Sequence, residues 1–210
     1  MASTTLIDFQ TSPAGALTVS ITVPLADASI RFRSLVASDV ENVCALFADR
    51  EVMRLYGTGE PRPADQVRKR VMESWIPRWE SGDPFSGMAA ERLPLDEAAD
   101  KTVQFIGVGV LGHGDVPGVS EMAALIHTKF QRNGIGLASA MAVKEYAEAL
   151  IARGYLVEGE PLREIVATTL VDHPASNKIM QKLGMVVKTT NMRFGHRRNV
   201  YFLPLKAKSD

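Results

Sequence analysis

Cysteine is almost missing from this sequence, and two kinds of site are excluded with it. The 210 residues contain one cysteine, Cys44. One thiol cannot form an intramolecular disulfide, and there is no Cys-x-x-Cys pair to hold zinc. Cys44 lies in an apolar stretch and is interpreted as a small buried hydrophobe rather than a nucleophile. We expect neither a disulfide nor a metal site.

Net charge is missing as well. The sequence has 24 Lys+Arg and 24 Asp+Glu, which gives a formal net charge of +0. A neutral chain has no overall field that would draw it to nucleic acid or to an anionic membrane. We therefore expect neither as a partner, and any charged ligand must be recognised by a local cluster of residues.

Neither a targeting segment nor a membrane-spanning segment is expected from the sequence. Residues 1–23 have no basic n-region and no continuous apolar run of the kind that signal peptides carry. No stretch approaches the roughly 18 to 20 apolar residues of a membrane-spanning helix. The prediction is a soluble, cytoplasmic protein.

What the sequence does contain is enough apolar material for one core, since 46% of its residues are hydrophobic. The patterns run in the order strand, two helices, three strands, helix, strand, helix, two strands. This order predicts an α/β (α+β) domain, with a mixed sheet and helices on its faces. Residues 1–28 are rich in Ser, Thr and Ala and are expected to be an N-terminal arm, and residues 29–206 to be the domain.

The most informative segment runs from a predicted strand at residues 121–126 into a turn with two glycines, Gly134 and Gly136, and then into a helix. Glycine lets the backbone come close to a ligand. The first N–H groups of a helix have no partner within it and lie at the positive end of its dipole. This segment can therefore bind a pyrophosphate, although a tight, well-packed turn would look the same.

Two familiar phosphate-binding motifs do not fit this segment. No Gly-Lys-Ser/Thr follows the glycines, so it is not a P-loop. Ser139 replaces the third glycine of the dinucleotide fingerprint, which argues against a nicotinamide or flavin site.

The run Gln131-Arg132-Asn133-Gly134-Ile135-Gly136 resembles the pyrophosphate loop of the GNAT superfamily of acyl-CoA-dependent N-acyltransferases. Residues 173–185 are similar to a later signature of the branch that acetylates the N-termini of ribosomal proteins. The resemblance covers about residues 30 to 205 and implies the GNAT fold, a mostly antiparallel sheet of six to seven strands with helices on both faces. Three positions depart from the pattern: His173 replaces Asn, Met185 replaces Phe, and Met180 stands where other members carry a tyrosine acid.

The resemblance implies acetyl-CoA as co-substrate, bound in a V-shaped gap between two parallel strands at residues 121–126 and 163–170. It implies that the backbone of Ala124, Leu125 and Ile126 pairs with the pantetheine arm, and that the N–H near Leu125 could stabilise an oxyanion. It places the pyrophosphate on a loop of six residues, which are Gln131, Arg132, Asn133, Gly134, Ile135 and Gly136.

The resemblance also implies the catalytic residues. Glu121 is the candidate base that takes a proton from the amine, with an exposed structural carboxylate as the alternative. His113 and His127 are rivals for this role, although both are more readily interpreted as structural. Ser176 matches a serine that contacts or reprotonates the coenzyme sulfur; otherwise it is a helix-start hydroxyl.

Two further residues are candidate coenzyme contacts. Asn177 is expected to bind the pantetheine, and His173 to do the work of the missing Asn, because a neutral imidazole donates and accepts hydrogen bonds.

The acceptor site is harder to locate from the sequence. Tyr56, in the loop between the first two predicted helices, is the candidate substrate contact. Residues 193–198 carry Arg193, His196, Arg197 and Arg198 and are interpreted as a solvated hairpin tip; the alternative is a docking site for an acidic substrate or for the coenzyme's 3′-phosphate.

The predicted function is acetyl transfer from acetyl-CoA to a primary amine, either a protein N-terminus or a small molecule. Two alternatives stay open: a non-catalytic module that keeps the coenzyme pocket as a sensor or scaffold, and an unrelated binder of nucleotide phosphates. The last strand could pair across a homodimer.

Overall fold

The computed structural model describes residues 5–94, 102–131 and 133–205. Within these ranges, eleven strands form: β1 Leu6–Thr11, β2 Leu17–Pro24, β3 Ala28–Ser34, β4 Gly87–Pro94, β5 Gln104–His113, β6 Val119–Ile126, β7 Leu156–Val157, β8 Glu160–Pro161, β9 Glu164–Leu170, β10 Val186–Arg193 and β11 His196–Pro204. The α-helices are α1 Val40–Ala48, α2 Arg50–Met53, α3 Ala64–Arg70, α4 Ile76–Glu80, α5 Ile135–Ala152 and α6 Pro174–Lys182. A π-helical turn at Val71–Trp75 joins α3 to α4, and short 3₁₀ turns occur at Ala37–Asp39 and Thr128–Phe130.

Nine strands form one sheet in the order β1-β2-β3-β4-β5-β6-β9-β11-β10, while β7 and β8 pair separately. Every neighbouring pair in the large sheet is antiparallel except β6 and β9, which run parallel. The predicted mixed, mostly antiparallel sheet is therefore confirmed. It has more strands than the six to seven expected.

The additional strands lie in the segment that was expected to be an arm. β1 and β2 form a hairpin that continues the sheet beyond β3. Alternate residues of β2, including Leu17, Val19 and Ile21, are buried, which is the period-two pattern of a strand with one face on the core. Phe9 of β1 stacks on Tyr146 of α5. Apolar burial therefore fixes this hairpin to the sheet.

Helices cover both faces of the sheet, and strand alternation assigns each core side chain to one of them. On one face, α1, α2 and α3 pack against Val108, Val110 and Leu125. On the other face, α5 and α6 pack against residues that include Met122 and Ile165. Since β6 contributes to both cores, its residues reach the two faces alternately, and Glu121 shares the α1–α3 face with Leu125.

A buried ion-pair network fixes β3 to β4 and to the start of α1. The Arg33 guanidinium contacts Asp39 Oδ2 at 2.7 Å and Glu91 Oε1 at 2.7 Å. Arg31 contacts the other oxygen of Glu91 at 2.6 Å. The paired carboxylates of Asp39 and Glu91 raise the pKa of Arg33 and keep its charge compensated. Arg33 is thus a partly buried guanidinium whose charge is compensated by two carboxylates.

Candidate active site

The sheet opens between its two parallel strands. β6 and β9 pair at Val119–Glu164, Ser120–Ile165 and Glu121–Val166, and no pairing between them follows, although β6 continues to Ile126 and β9 to Leu170. β6 remains paired to β5 along the same stretch. The carboxyl-terminal half of β6 therefore has an edge on its β9 side with no strand partner among the described residues. This is the V-shaped gap that the sequence resemblance predicts.

Glu121 lies at the vertex of this gap, because its pair with Val166 is the last before the strands separate. Its side chain is partly buried, and no cation of the described residues lies within ion-pair distance. Burial raises the pKa of its carboxyl above the ordinary value, while Arg193 opposes this effect. A desolvated, unpaired carboxylate with a raised pKa is suited to accept a proton near neutral pH.

Tyr56 lies near Glu121, in the loop between α2 and α3. Its ring contacts Phe47 edge-on at 6.0 Å between centroids, and the guanidinium of Arg62 lies 5.9 Å from the ring centroid. Burial raises the pKa of its hydroxyl, and the charges of Glu121 and Arg198 also act on it. The predicted substrate residue and the predicted base are thus electrostatic neighbours.

The sequence interpretation missed the position of Arg198. This residue lies in β11 and is 3% exposed, so it is not part of a solvated hairpin tip. Its Nη1 donates a hydrogen bond to the carbonyl oxygen of Gly57 at 3.2 Å. Burial lowers the pKa of its guanidinium. The only sequence signal was the local cluster of arginines; the burial comes from a loop 141 residues earlier in the chain.

The predicted pyrophosphate loop leads directly into α5. Gly134 precedes the helix with φ +77°, a conformation that favours glycine. Gly136, in the first turn, is exposed, and a β-carbon there would come within 3.1 Å of Ile179 Cδ1. The side chain of Gln131 donates to the carbonyl oxygen of Ile126 at 2.8 Å, which fixes the loop to the end of β6. The opening of the sheet and the start of the helix are thereby held together.

Two further residues of the predicted pyrophosphate loop, Asn133 and Ile135, differ in exposure. Asn133 is exposed and Ile135 is buried in the core under α5, so only the backbone of Ile135 can face a ligand. Arg132 lies outside the described residues.

The segment after β9 brings His173 and Ser176 to the wide end of the gap. His173 is the residue before α6, and burial, with the charge of Arg54, lowers its pKa and favours the neutral imidazole. Ser176 is partly buried in the first turn of α6, and its hydroxyl has no hydrogen-bond partner among the described residues. The hydroxyl is therefore available to a ligand rather than being used as a helix cap.

The amide of Asn177, a predicted contact of the pantetheine, is hydrogen-bonded within the protein. Its Oδ1 accepts hydrogen bonds from Thr169, Asn199 and Tyr201. Its Nδ2 donates to the carbonyl oxygens of Leu170, Val171 and His173. Both ends of the amide are thus occupied by the protein, and the residue joins β9, α6 and β11.

We expect Asn177→Ala to lower the free energy of unfolding by about 2–4 kcal/mol, because several buried partners lose their hydrogen bonds at once. Urea denaturation measures the change. Asn191→Ala is the matched control: Asn191 is exposed on β10 and should cost less than about 0.5 kcal/mol. Weaker coenzyme binding with unchanged stability would instead assign Asn177 to the ligand.

The rival catalytic residues lie elsewhere. His113 Nε2 contacts Asp83 Oδ2 at 2.9 Å, and its ring packs against Phe85 on the α5 side of the sheet, the face opposite to Glu121. His127 lies 4.0 Å from Asp49 and packs edge-on against Phe105, and burial lowers its pKa. Met180 is buried in the core, so its position offers no general acid.

A cavity of about 550 Å³ lies beside the gap, between the loop after α2, the end of β9 and the β10–β11 turn. Its polar lining comes from Arg54, Asp172, His196 and Arg197. Within the described ranges, no group of three or more His, Cys, Asp or Glu side chains could hold a metal ion. No described helix is both long and apolar enough to cross a lipid bilayer.

Solved structures with the same fold are similar to this chain over most of its length. An acetyltransferase of the GNAT family from Bacillus anthracis has a TM-score of 0.61 at 15% identity, covering 90% of this chain and 99% of its own. An acetyl transferase from Salmonella typhimurium that modifies the N-terminal serine of a 50S ribosomal subunit protein has a TM-score of 0.60 at 16% identity, covering 88% and 99%. Spermidine N-acetyltransferase from Vibrio cholerae, in complex with CoA and spermine, has a TM-score of 0.56 at 14% identity, covering 83% and 95%.

These identities are low, and a comparison with curated protein sequences finds no match. The likeness to the solved structures therefore establishes the fold alone. The family is established by sequence, because residues 29–186 match the model of the acetyltransferase (GNAT) domain. This match covers well over half of the chain and confirms the resemblance that the loop and the later segment indicate. The chain belongs to the GNAT acetyltransferase family.

Proposed function

We propose that this protein transfers the acetyl group of acetyl-CoA directly to a primary amine, either a protein N-terminus or a small molecule. The observation that carries the proposal is the loss of pairing between β6 and β9 immediately after Glu121. A strand edge without a partner can pair with an extended ligand, and the loop at the start of α5 lies at the end of that edge. The arrangement offers one continuous site for an extended, phosphate-bearing coenzyme.

In this proposal, the backbone of Ala124, Leu125 and Ile126 binds the pantetheine arm along the free edge of β6. The start of α5 binds the pyrophosphate through N–H groups that have no partner within the helix. The loop residues assigned to this task remain Gln131, Arg132, Asn133, Gly134, Ile135 and Gly136. Gln131 acts by holding the loop against Ile126, because its amide already donates to that residue.

The coenzyme supplies a thioester, whose carbonyl carbon the amine attacks as the C–S bond breaks. Glu121 takes the proton that the amine must lose, and its unpaired, partly buried carboxylate suits that role. The N–H near Leu125 stabilises the oxyanion. Ser176, with its free hydroxyl, returns a proton to the thiolate. His173, the residue before α6, contacts the coenzyme in place of the family's Asn.

The acceptor amine enters through the cavity between the loop after α2 and the β10–β11 turn, and Tyr56 of that loop contacts it. Of the proteins with this fold, the Salmonella typhimurium enzyme modifies a protein N-terminus and the Vibrio cholerae enzyme acetylates spermidine. Both are primary amines, which agrees with the proposed acceptor class.

Calorimetric titration with acetyl-CoA, CoA, ATP and NAD in parallel tests the coenzyme assignment. We expect binding of acetyl-CoA and CoA and none of ATP or NAD. Release of CoA thiol in the presence of an amine panel then tests the enzyme. Binding without turnover on any amine would favour the sensor alternative, and binding of ATP or NAD in preference to CoA would overturn the assignment.

The other parts of the proposal are an acyltransferase domain at residues 29–206, whose sheet the β1–β2 hairpin extends, a cytoplasmic location and a homodimer. The last strand, β11, was expected to pair across the dimer, but it is already paired with β9 and β10. The candidate strand is instead β10, which is the end strand of the sheet and has seven of its eight residues exposed, including Val186, Val187 and Met192. Light scattering of Met192→Lys beside the unchanged protein tests whether this edge joins two copies.

A further inference from the structure

Arg198 is a buried cation without an anion. The residue is 3% exposed, yet no carboxylate of the described residues lies within 4 Å of its guanidinium. Arg33, which is more exposed, contacts two carboxylates. Removing a charge from water without a partner is costly, and proteins ordinarily compensate it. The fold gives Arg33 two carboxylates, whereas the Arg198 guanidinium has no carboxylate and only the ring of Phe194, whose centroid lies 5.7 Å from its carbon.

The hydrogen bonds of Arg198 leave one side of its guanidinium without a partner among the described residues. Nη1 donates to the carbonyl oxygen of Gly57 at 3.2 Å. Nε is buried and has no partner, and Nη2 makes no hydrogen bond to the described residues but is not sealed from solvent as Nε is. Nε and Nη2 form the side of the fork that binds both oxygens of a carboxylate. A ligand anion is the group that this side lacks.

The register of the sheet places Arg198 on the face where the chemistry is proposed. Glu121 pairs with Val166, and Arg198 pairs with Leu170, four residues further along β9. Positions separated by an even number of residues on a strand share a face, so Arg198 and Glu121 lie on the same side of the sheet. The two charges are close enough for each to act on the pKa of the other.

The other cations near this face are either paired or accessible. Arg193 contacts Asp115 at 2.9 Å. Arg54 and Arg197 line the cavity together with Asp172. The charge of Arg198 also acts on Tyr56 and on His173. The acceptor side of the site therefore has a positive centre at a fixed position, on the same side of the sheet as the candidate base.

We propose that the acceptor carries a carboxylate beside its primary amine, and that Arg198 binds that carboxylate while the amine faces Glu121. The acceptor is an amino acid or a peptide that begins with an acidic residue, and not a polyamine. This inference rests on the proposed function and names the substrate class of the same site. Arg198 acts here as a substrate-binding residue that sets specificity.

The test compares matched acceptors that differ only in the carboxylate. One pair is an amino acid and its amide, and the other is a peptide beginning with aspartate and the same peptide beginning with asparagine; spermidine is the cationic arm. We expect kcat/KM to be about 10- to 100-fold higher for the acid of each effective pair, the worth of a hydrogen-bonded charge pair. A preference for the acid in the first pair would identify the acceptor as a free amino acid, and a preference in the second pair would identify it as a peptide.

Arg198→Gln should reduce this acid-to-amide ratio to about one, mainly through KM of the acid, while binding of acetyl-CoA is unchanged. Arg198→Lys should keep part of the preference, since it keeps the charge without the fork. Lys182→Gln is the control, because it removes one positive charge from an exposed position on α6. Intact coenzyme binding by the variants establishes that they are folded.

Amides or spermidine used as well as the acids would overturn the proposal, and so would an equal loss on both members of a pair in Arg198→Gln. If no amine is acetylated, calorimetric binding of the acids and amides to the CoA-loaded protein decides the matter separately. Preferential binding of the acid that disappears in Arg198→Gln would then support the carboxylate site while the proposed activity fails. Equal binding of the two would overturn it.

Discussion

Glu121→Gln is expected to lower kcat by about 10²- to 10⁴-fold while the affinity for acetyl-CoA stays the same. The substitution keeps the shape of the side chain at the vertex of the gap and removes its ability to take a proton. Single-turnover measurement of CoA release gives the rate, and calorimetry gives the affinity. Glu160→Gln, at an exposed position of β8, is the control for loss of one negative charge.

The pH profile gives a second readout of the same substitution. A base works only when ionised, so kcat/KM should fall as the pH drops through the pKa of Glu121, which burial places above the ordinary value. That inflection should disappear in Glu121→Gln and leave only the titration of the acceptor amine. An unchanged rate and profile would show that Glu121 is structural and is not the base.

Stability should respond in the opposite sense. Because burial raises the pKa of Glu121 in the folded state, its contribution is complete below the ordinary carboxyl pKa and is lost as the pH rises through the raised one. At neutral pH the folded protein holds an unpaired, partly buried anion. Glu121→Gln should therefore unfold at a higher urea concentration than the unchanged protein while turning over more slowly.

Gly136→Asp is expected to weaken acetyl-CoA binding by about 100-fold or more. The new carboxylate would stand in the first turn of α5, where the pyrophosphate is proposed to bind, and two anions about 5 Å apart repel by roughly 3 kcal/mol at a surface-like dielectric. The helix itself should tolerate the change, since an acidic residue is favourable near its N-terminus. Titration calorimetry measures the loss.

Gly136→Asn is the matched control, because it has nearly the same shape without the charge. It should weaken binding far less, by the amount that a side chain against Ile179 costs the loop. Equal losses for the two variants would mean that the β-carbon, rather than the charge, disturbs the site. No loss for either would remove the pyrophosphate from the start of α5.

The gap beside β6 was expected only from the family resemblance. The strand, the glycine turn and the helix follow one another in the chain, so these elements around Gly134 could be inferred from adjacent residues. Arg198 could not, because its burial depends on the carbonyl of Gly57 in a distant loop. A run of arginines at a hairpin tip resembles a solvated surface until the partner across it is known.

For Asn177 and the N-terminal hairpin, too, the decisive contacts are with residues distant in the chain, which the sequence does not reveal. The later segment predicted that Asn177 matters, but an amide bonded to three elements cannot be told by sequence from an amide bonded to a ligand. In β2, apolar and polar residues alternate at residues 18–23, but the place of the strand in the sheet depends on pairing with β3, which follows a turn. Residue propensities and the spacing of apolar residues identify a strand or a helix, whereas the strands that it pairs with are determined only in the assembled sheet.

The N-terminal hairpin has a consequence for where the smallest folding unit begins. The family match starts at residue 29, yet Val19 and Ile21 of β2 complete the core, and β2 covers the hydrogen-bonding edge of β3. A chain shortened to that family boundary would leave Ile30 and Phe32 on an open edge strand, with backbone groups free to pair with another molecule. The hairpin of β1 and β2 therefore protects this protein against aggregation through that edge.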